Sequence, residues 1–222
     1  MNPRRELGIA SAAAVVATLG DLLLLLVGNS SQPELGLPRP PAWALPTGGL
    51  LGVGAIPLYA LGYRCIARVL RPGSPVLARI VLDCGMGIAA LGALIHGLTA
   101  LSIRAALASG AAPASPLAAV AASGRGVVAA WVGASVLVLA ASIAIFVAGT
   151  SRERQLPRPL AWLNPAALTL VLAAASLPSE AGRSLLLPAA PNLAHVPFFG
   201  AWLFAWAGMG GSGRVTAGAT QR

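Results

Sequence analysis

The residues of this chain that could carry chemistry are two acids, two histidines and an asparagine in apolar surroundings. Asp21 stands in "TLGDLLLLLVG", directly before five leucines, and His96 stands in "ALIHGLTA". Asn192 and His195 are three residues apart in "PNLAHVPFFG", and Glu180 lies in "SLPSEAGRSLLLP". Carboxylic acids and histidines can exchange protons with a substrate, which is typical of acid–base catalysis. We predict Asp21, His96, His195 and Glu180 as the catalytic residues.

Aromatic residues near these groups could form the wall of a substrate cavity. Pro57 interrupts the apolar stretch "GGLLGVGAIPLYALGY", and a proline that removes a helical hydrogen bond kinks the helix and can open a cavity. Alternatively, the aromatic residues near the C-terminus pack between helices and form a belt at the membrane–water interface. The predicted substrate-binding residues are Tyr59, Asn192, Phe199, Trp202 and Trp206.

The same groups are less suited to binding a metal ion. The chain has two histidines and no HxxxH-type spacing, so a metal-dependent lipid hydrolase with Asp21, His96 and His195 as ligands is only a variant of the enzyme hypothesis. Cys65 and Cys84 both lie in apolar segments, where free cysteines behave as small buried hydrophobes. We predict no metal ion and no cofactor.

The composition places these residues in a membrane protein. Apolar residues make up 57% of the 222 residues, charged residues make up 9%, and the mean hydropathy is +0.79. Long apolar runs with charges at their edges are typical of transmembrane helices. The net charge is +9, and the positively charged residues are all arginines, without interleaved aromatic residues or a long basic cluster, so the charge does not indicate nucleic-acid binding. The expected partners are membrane lipids and a hydrophobic small-molecule substrate.

Six apolar segments each approach the ~20 residues needed to cross a ~30 Å hydrocarbon layer. The first segment follows two arginines but is too long for the apolar core of a signal peptide, so we expect it to be retained. Connectors rich in proline, glycine and serine, such as "SSQPELGLPRPPAW", separate the segments. The predicted fold is all-α, a single bundle of six transmembrane helices over residues 1–222, with helices at about 7–27, 46–70, 80–103, 126–148, 160–177 and 193–210.

The arginines predict the orientation of this bundle. They cluster before helix 1, between helices 2 and 3, between helices 4 and 5, and after helix 6. These four regions share one side if the chain crosses six times, and the positive-inside rule then puts both termini in the cytoplasm. We therefore predict a multi-pass protein of the plasma or inner membrane. The arginines of these regions are Arg4, Arg5, Arg64, Arg68, Arg71, Arg79, Arg152, Arg154, Arg158, Arg214 and Arg222.

Helix geometry predicts that Asp21 and His96 lie at a similar depth. At ~1.5 Å per residue, Asp21 lies roughly 21 Å beyond Leu7, and His96 lies roughly 24 Å beyond Ile80. Both therefore fall in the outer half of the membrane. Alanines and glycines share the helix face of Asp21, which indicates that this carboxyl group points into the bundle.

Two further acids have more local roles. Glu180 falls in an outer connector that could form a short interfacial helix capped by Ser179. Asp83 lies about one turn into helix 3 on the cytoplasmic side, four residues after Arg79. Arg64 lies near the cytoplasmic end of helix 2, at the same side of the membrane. We predict that Asp83 forms a structural ion pair with one of these arginines.

Short patches of the sequence together resemble a known family. The resemblance is to a family of six-helix bacterial integral membrane proteins known as a domain of unknown function. It supports the helix count and implies no activity. The patches are "GDLLLL" at 20–25, "GVGAIPLYALGY" at 52–63, "IHG" at 95–97, "LNPAAL" at 163–168 and "PNLAHVPFFG" at 191–200.

These residue types favour an integral membrane enzyme that performs acid–base chemistry on a lipid-soluble substrate. A carboxylic acid in a dry cavity can protonate an alkene or epoxide, a histidine or second carboxylate can take a proton back, and aromatic faces can stabilise a carbocation. Isoprenoid isomerases and terpene cyclases of membranes use such groups, and the likeness to them is one of architecture and residue type. The alternatives are a small proton-coupled carrier and a non-catalytic partner of a membrane complex. The oligomeric state stays open.

Overall fold

The chain is helical in nearly all of the part that the computed structural model describes, which comprises residues 2–30, 35–37, 39–109, 125–151 and 156–212. No β-strand occurs within these ranges. The α-helices in chain order are α1 (Pro3–Gly28), α2 (Ala44–Ala55), α3 (Tyr59–Leu70), α4 (Pro75–Ala108), α5 (Arg125–Thr150), α6 (Arg158–Trp162), α7 (Pro165–Ser176) and α8 (Leu187–Ser212).

Four of the described helical units are long and apolar enough to cross a membrane. They are α1, the joined pair α2 and α3 over Ala44–Leu70, α4 and α5. Each has at least 26 residues, which corresponds to about 39 Å and exceeds the ~30 Å hydrocarbon layer. The predicted all-helical membrane protein is confirmed to this extent.

The helix boundaries follow from capping residues that precede prolines. Asn2 Oδ1 accepts a hydrogen bond from the N–H of Arg4 (2.9 Å), and Pro3 begins α1. Ser74 and Asn164 occupy the same position before Pro75 and Pro165, which begin α4 and α7. Proline is favoured at the first helical position because its missing N–H has no intrahelical partner there.

The break predicted at Pro57 is present, and it takes the form of a short 3₁₀ turn. The turn covers Ile56–Leu58 and joins α2 to α3 without interrupting the span. Proline cannot donate to the carbonyl group one turn earlier, so the backbone tightens locally. The turn places Tyr59 at the beginning of α3, where its side chain is 1% exposed.

The fifth predicted helix is not continuous. Instead of one helix over 160–177, the chain forms α6 and α7, separated at Leu163 and Asn164. Asn164 donates to the carbonyl of Ala161 (2.8 Å) and accepts from the N–H of Ala167 (3.0 Å), so its side chain ends one helix and begins the next. The sixth helix begins earlier than predicted, at Leu187, directly after a π-helical turn over Gly182–Leu186.

Side-chain contacts define the directions of the helices. Gly87 of α4 faces Leu137 of α5, and Gly133 faces Leu91, so α4 and α5 are antiparallel. The end of α1 lies beside the beginning of α8, because Asn29 Nδ2 donates to the carbonyl of Ser184 (3.3 Å). Asn192, further along α8, contacts Asp21, which is earlier in α1, so these two helices are antiparallel neighbours.

The predicted small-residue face of α1 is buried. Ala10, Ala14 and Ala17 are completely inaccessible, and Ala10 lies against Gly62 of α3. Close approach of small residues lets helices pack without large side chains between them. A large ring is accommodated where a neighbour lacks a side chain, as where Tyr63 lies over Gly85 of α4.

An acid that the sequence analysis did not single out holds the arginine-rich end together. Glu6 is fully buried and forms ion pairs with Arg64 (2.9 Å) and with Arg68 of α3. The ion pair predicted for Asp83 is confirmed, with Arg79 rather than Arg64 as the partner. Asp83 pairs with Arg79 (2.6 Å) on the exposed surface of α4, while Arg64 turns to Glu6. Arg152, Arg154, Arg214 and Arg222 of the predicted orientation pattern lie outside the described residues.

We expect Glu6→Gln to destabilise the bundle by about 2 kcal/mol, because it removes the shared anion of Arg64 and Arg68. Breaking a fully buried ion pair costs about 3–5 kcal/mol. The two arginines are 48% and 44% exposed, so water or lipid headgroups can compensate in part. Thermal unfolding in detergent measures the change.

Asp83→Asn is the matched control for Glu6→Gln, because it removes one carboxylate from an exposed pair at the same end of the bundle. Exposed ion pairs contribute little to stability. An equal loss of melting temperature in the two variants would contradict the structural role assigned to Glu6.

Candidate functional site

A cavity of about 300 Å³ lies inside the bundle between α1, the α2–α3 pair, α4, α5, α7 and α8. Its wall is mainly leucine, isoleucine, valine, alanine and proline. An apolar enclosure with a few polar groups is the usual form of a small-molecule site. The polar and aromatic residues of the wall are Asp21, Tyr59, His96, Thr99, Trp131, Ser135, Thr169, Asn192 and His195.

Asp21 of α1 is held by two neighbours on two other helices. Its Oδ1 lies 3.2 Å from His96 Nδ1 on α4, and its Oδ2 accepts a hydrogen bond from Asn192 Nδ2 on α8 (2.8 Å). The Asp21 side chain is 16% exposed, and that of His96 is 3% exposed. The structure therefore brings together the two groups whose depths were predicted to match.

The hydrogen bonds of His96 define where protons can lie. Its Nε2 is 2.9 Å from the carbonyl oxygen of Gly48, and a carbonyl only accepts, so Nε2 carries a proton. Its Nδ1 faces Asp21 Oδ1. A hydrogen bond between these two atoms requires one proton, which can lie on Nδ1 beside a carboxylate or on Oδ1 beside a neutral imidazole. The pair is neutral overall in both arrangements, which lowers the cost of burying it.

Glycines make the space that the His96 ring occupies. A Cβ atom on Gly52 of α2 would overlap three atoms of the ring. A Cβ on Gly20 of α1 would lie 2.9 Å from the Gly48 carbonyl oxygen and 3.2 Å from His96 Nε2. The imidazole thus fits a slot between α1 and α2 that exists only because these positions lack side chains.

Asn192 connects Asp21 to the aromatic part of the site. Its Oδ1 accepts a hydrogen bond from the Tyr59 hydroxyl (3.1 Å), while its Nδ2 donates to Asp21. The two bonds define the orientation of the amide, since only one end can donate and only the other can accept. The network thereby joins α1, α3, α4 and α8 at the cavity wall.

His195 has both ring nitrogens bonded within the protein. Its Nδ1 lies 2.7 Å from the carbonyl oxygen of Pro191, and its Nε2 lies 2.9 Å from the Tyr63 hydroxyl. The carbonyl requires a proton on Nδ1, so Nε2 of a neutral ring accepts from Tyr63. The ring also stacks on Tyr59 with centroids 4.7 Å apart. This arrangement suits positioning of Tyr59 better than direct proton transfer.

The remaining predicted site residues lie elsewhere. Phe199 and Trp202 are fully buried in the core, and Trp206 packs against that core, because this face of α8 covers other helices rather than the cavity. Glu180 is exposed just before the π-helical turn. Ser179 does cap that segment, with its Oγ accepting from the Gly182 N–H (2.9 Å).

Sequence reasoning missed several cavity residues. Trp131 and Ser135 on α5 and Thr169 on α7 belong to the wall, as does Thr99. For Thr99 the signal was available, since it follows His96 by three residues and so shares a face of α4. For α5 and α7 the apolar pattern did not distinguish the cavity face from the lipid face. Among the described residues, no three His, Cys, Asp or Glu side chains are placed to share a metal ion.

One of three comparisons with known proteins finds a match. The profile of a family of unknown function, DUF6796, matches residues 1–208. No curated protein and no solved structure matches the chain. The family match agrees with the resemblance to a domain of unknown function.

Proposed function

The chain belongs to the family of unknown function DUF6796, and we propose that it is a membrane-embedded enzyme that performs acid–base chemistry on a lipid-soluble substrate. One observation carries the proposal. Asp21 Oδ1 and His96 Nδ1 lie 3.2 Å apart, and this carboxyl–imidazole pair lines an otherwise apolar cavity. Such a site favours a substrate without charge and supplies it with one acid and one base.

The chemistry that fits this pair is the isomerisation or cyclisation of an alkene. Asp21, as the acid, gives its Oδ1 proton to one carbon of a double bond, and the other carbon becomes cationic. The same pair then takes a proton from a neighbouring carbon, so the double bond moves and the enzyme is regenerated. The rings of Tyr59 and Trp131 line the cavity and can stabilise the cation through their faces. Isoprenoid isomerases and terpene cyclases work on this principle.

Exchange with heavy water tests the proposal for any lipid substrate of the membrane. The purified protein is placed in vesicles of total membrane lipid made in D₂O, and the lipids are examined by mass spectrometry. We expect one lipid class to gain deuterium at carbon with the wild type and not with Asp21→Asn. Lipids that gain no carbon-bound deuterium with folded wild-type protein would overturn an acid–base reaction on lipid.

A proton-coupled carrier is the second candidate, and helix breaks beside the site favour it. The 3₁₀ turn at Ile56–Leu58 adjoins Tyr59, and the π-helical turn at Gly182–Leu186 precedes the helix that carries Asn192. Broken helices and buried acids occur together in carriers. Proton movement across sealed vesicles that depends on Asp21, without deuterium in lipid, would replace the enzyme by this alternative.

We also propose six membrane crossings with both termini in the cytoplasm. In support, α6 and α7 together cover Arg158–Ser176, and α8 begins beside the end of α1. Arg64 and Arg68 lie at the Glu6 end of α1, as expected for the cytoplasmic side.

A reporter fused after Arg222 is expected to be active in the cytoplasm, and one inserted near Ala112 to be active outside. Paired reporters that are functional on only one side of the membrane measure this. The reverse pattern would mean that the bundle has the opposite orientation, which would contradict the prediction from the arginines.

A further inference from the structure

The cavity reaches the surface of the bundle between α5 and α7. Leu139 of α5 and Leu170 of α7 both line the cavity, and they are 53% and 70% exposed. Ser135, one turn before Leu139, also lines the cavity and is exposed. Residues that belong to both the wall and the outer surface mark an opening, which we call the α5–α7 mouth.

The surface around the α5–α7 mouth is apolar. On α5, Val132, Val136 and Ile143 are exposed, and on α7 Val171 is exposed beside Leu170. The helix α5 is one of the units long and apolar enough to cross a membrane. An exposed apolar band on such a helix faces lipid chains, so the mouth opens to lipid rather than to water.

The mouth also lies near the middle of the membrane. Ser135 and Leu139 are about 15 and 21 Å from the beginning of α5 at Arg125, and Leu139 is about 17 Å from its end at Thr150. The hydrocarbon layer is ~30 Å thick, so its centre is ~15 Å from each edge. The chain ends of lipids meet at this depth, whereas headgroups remain at the surface.

The cavity is too small for a whole membrane lipid. An engineered apolar cavity of ~150 Å³ holds benzene, so a cavity of about 300 Å³ has room for roughly a dozen non-hydrogen atoms. A longer molecule can place only one end inside. The depth of the mouth and the volume of the cavity together indicate that the end of the lipid chain is the part that enters.

We propose that the substrate is a lipid with an unsaturated chain whose tail end enters sideways through the α5–α7 mouth, while the headgroup stays at the membrane surface. The double bond near the tail then lies beside Asp21 and His96. A prenyl chain, which carries a double bond in its last unit, has this chemistry. The assignment of the reacting part rests on the proposed function, whereas the route of access does not.

Photoreactive lipids test the route. The full chain is reconstituted in bilayers that contain phosphatidylcholine with a diazirine either on the last carbons of one acyl chain or near the glycerol. After illumination, labelled peptides are mapped by mass spectrometry. We expect the tail-end probe, and not the probe near the glycerol, to label the buried cavity residues Ile88 and Ile95 of α4.

Closing the mouth provides the decisive comparison. Leu139→Trp with Leu170→Trp fills the opening and should abolish most labelling of the α4 cavity residues. Val136→Trp with Val171→Trp places two tryptophans at neighbouring exposed positions outside the wall and should leave that labelling unchanged. Equal melting temperatures of the two double variants show that any difference does not come from misfolding.

The outcomes separate access from chemistry. Cavity labelling by the tail-end probe that is lost on closing the mouth supports the route, even if no lipid gains deuterium, and in that case the proposed reaction alone fails. Equal labelling by both probes, or labelling that persists after closure, overturns the route. If lipids still gain deuterium after the mouth is closed, the route is also overturned, but the proposed acid–base reaction is supported.

Discussion

Asp21→Asn is expected to fold as stably as the wild type and to lose deuterium incorporation into lipid by about 100-fold or more, the effect of removing a general acid. The amide reproduces both contacts of the carboxylate. Its oxygen can accept from Asn192 Nδ2, and its N–H can donate to His96 Nδ1, which are the two atoms now 2.8 Å and 3.2 Å from Asp21. An amide cannot take up or release the proton, so the chemistry stops while the packing remains.

The leucines after Asp21 make this outcome possible. An aspartate at the centre of a membrane helix costs about 2.5–3.5 kcal/mol on the insertion scale, and five leucines at about −0.5 kcal/mol each offset most of it. We therefore expect α1 to insert into the membrane both with Asp21 and in the Asp21→Asn variant. Melting temperature and deuterium incorporation should be measured on the same purified sample.

Asp21→Leu provides the contrast to Asp21→Asn. It removes the partner of both His96 Nδ1 and Asn192 Nδ2, and each unsatisfied buried group costs about 1–3 kcal/mol. Loss of activity with lower stability is expected for Asp21→Leu, and loss of activity alone for Asp21→Asn. A destabilised but fully active Asp21→Asn would identify Asp21 as a structural acid and end the catalytic assignment.

Gly52→Ala is expected to lower the stability of the bundle by about 3 kcal/mol and to abolish activity. The new methyl group would occupy the space of the His96 ring, and overpacking of a buried site costs about 1–3 kcal/mol. Displacement of the ring also breaks its bonds to Gly48 and Asp21, which leaves Asn192 as the remaining partner of the Asp21 carboxyl group. Thermal unfolding and lipid deuteration measure the two effects.

Gly54→Ala is the control for this substitution. Gly54 lies two residues further along α2, where an added Cβ meets no atom within 4 Å. It should be as stable as the wild type or slightly more so, since alanine favours a helix. Gly52→Ala combined with His96→Ala should recover part of the lost stability but none of the activity. Wild-type activity in Gly52→Ala would show that the slot does not position His96.

The sequence by itself determined the four long apolar helices and the common level of Asp21 and His96 along two of them. Apolar length predicted the long helices, and Pro57 predicted the break that became the 3₁₀ turn. Counting residues predicted that Asp21 and His96 lie at one level, since rise per residue is a local property of a helix. These features follow from backbone hydrogen bonding and hydropathy, which act within one segment.

Tertiary packing decided which side chains meet at that level. Small residues occur on several faces of these helices, so periodicity did not show that Gly52 and Gly20 would form the slot for His96. The aromatic face of α8 packs in the core, so Phe199 and Trp202 do not line the cavity. Helix rotation and the choice of neighbour depend on the fit of all the surrounding helix surfaces, and no single segment carries that information.

Ion pairs show the same division. From the sequence alone, Arg64 and Arg79 were both candidate partners of Asp83, and Glu6 was not identified as a partner of Arg64. The structure assigns Glu6, because the beginning of α1 packs beside the end of α3 and buries this carboxylate, while Asp83 faces outward with Arg79. A charge becomes a structural partner only where packing removes it from solvent, and burial is a property of the assembled bundle.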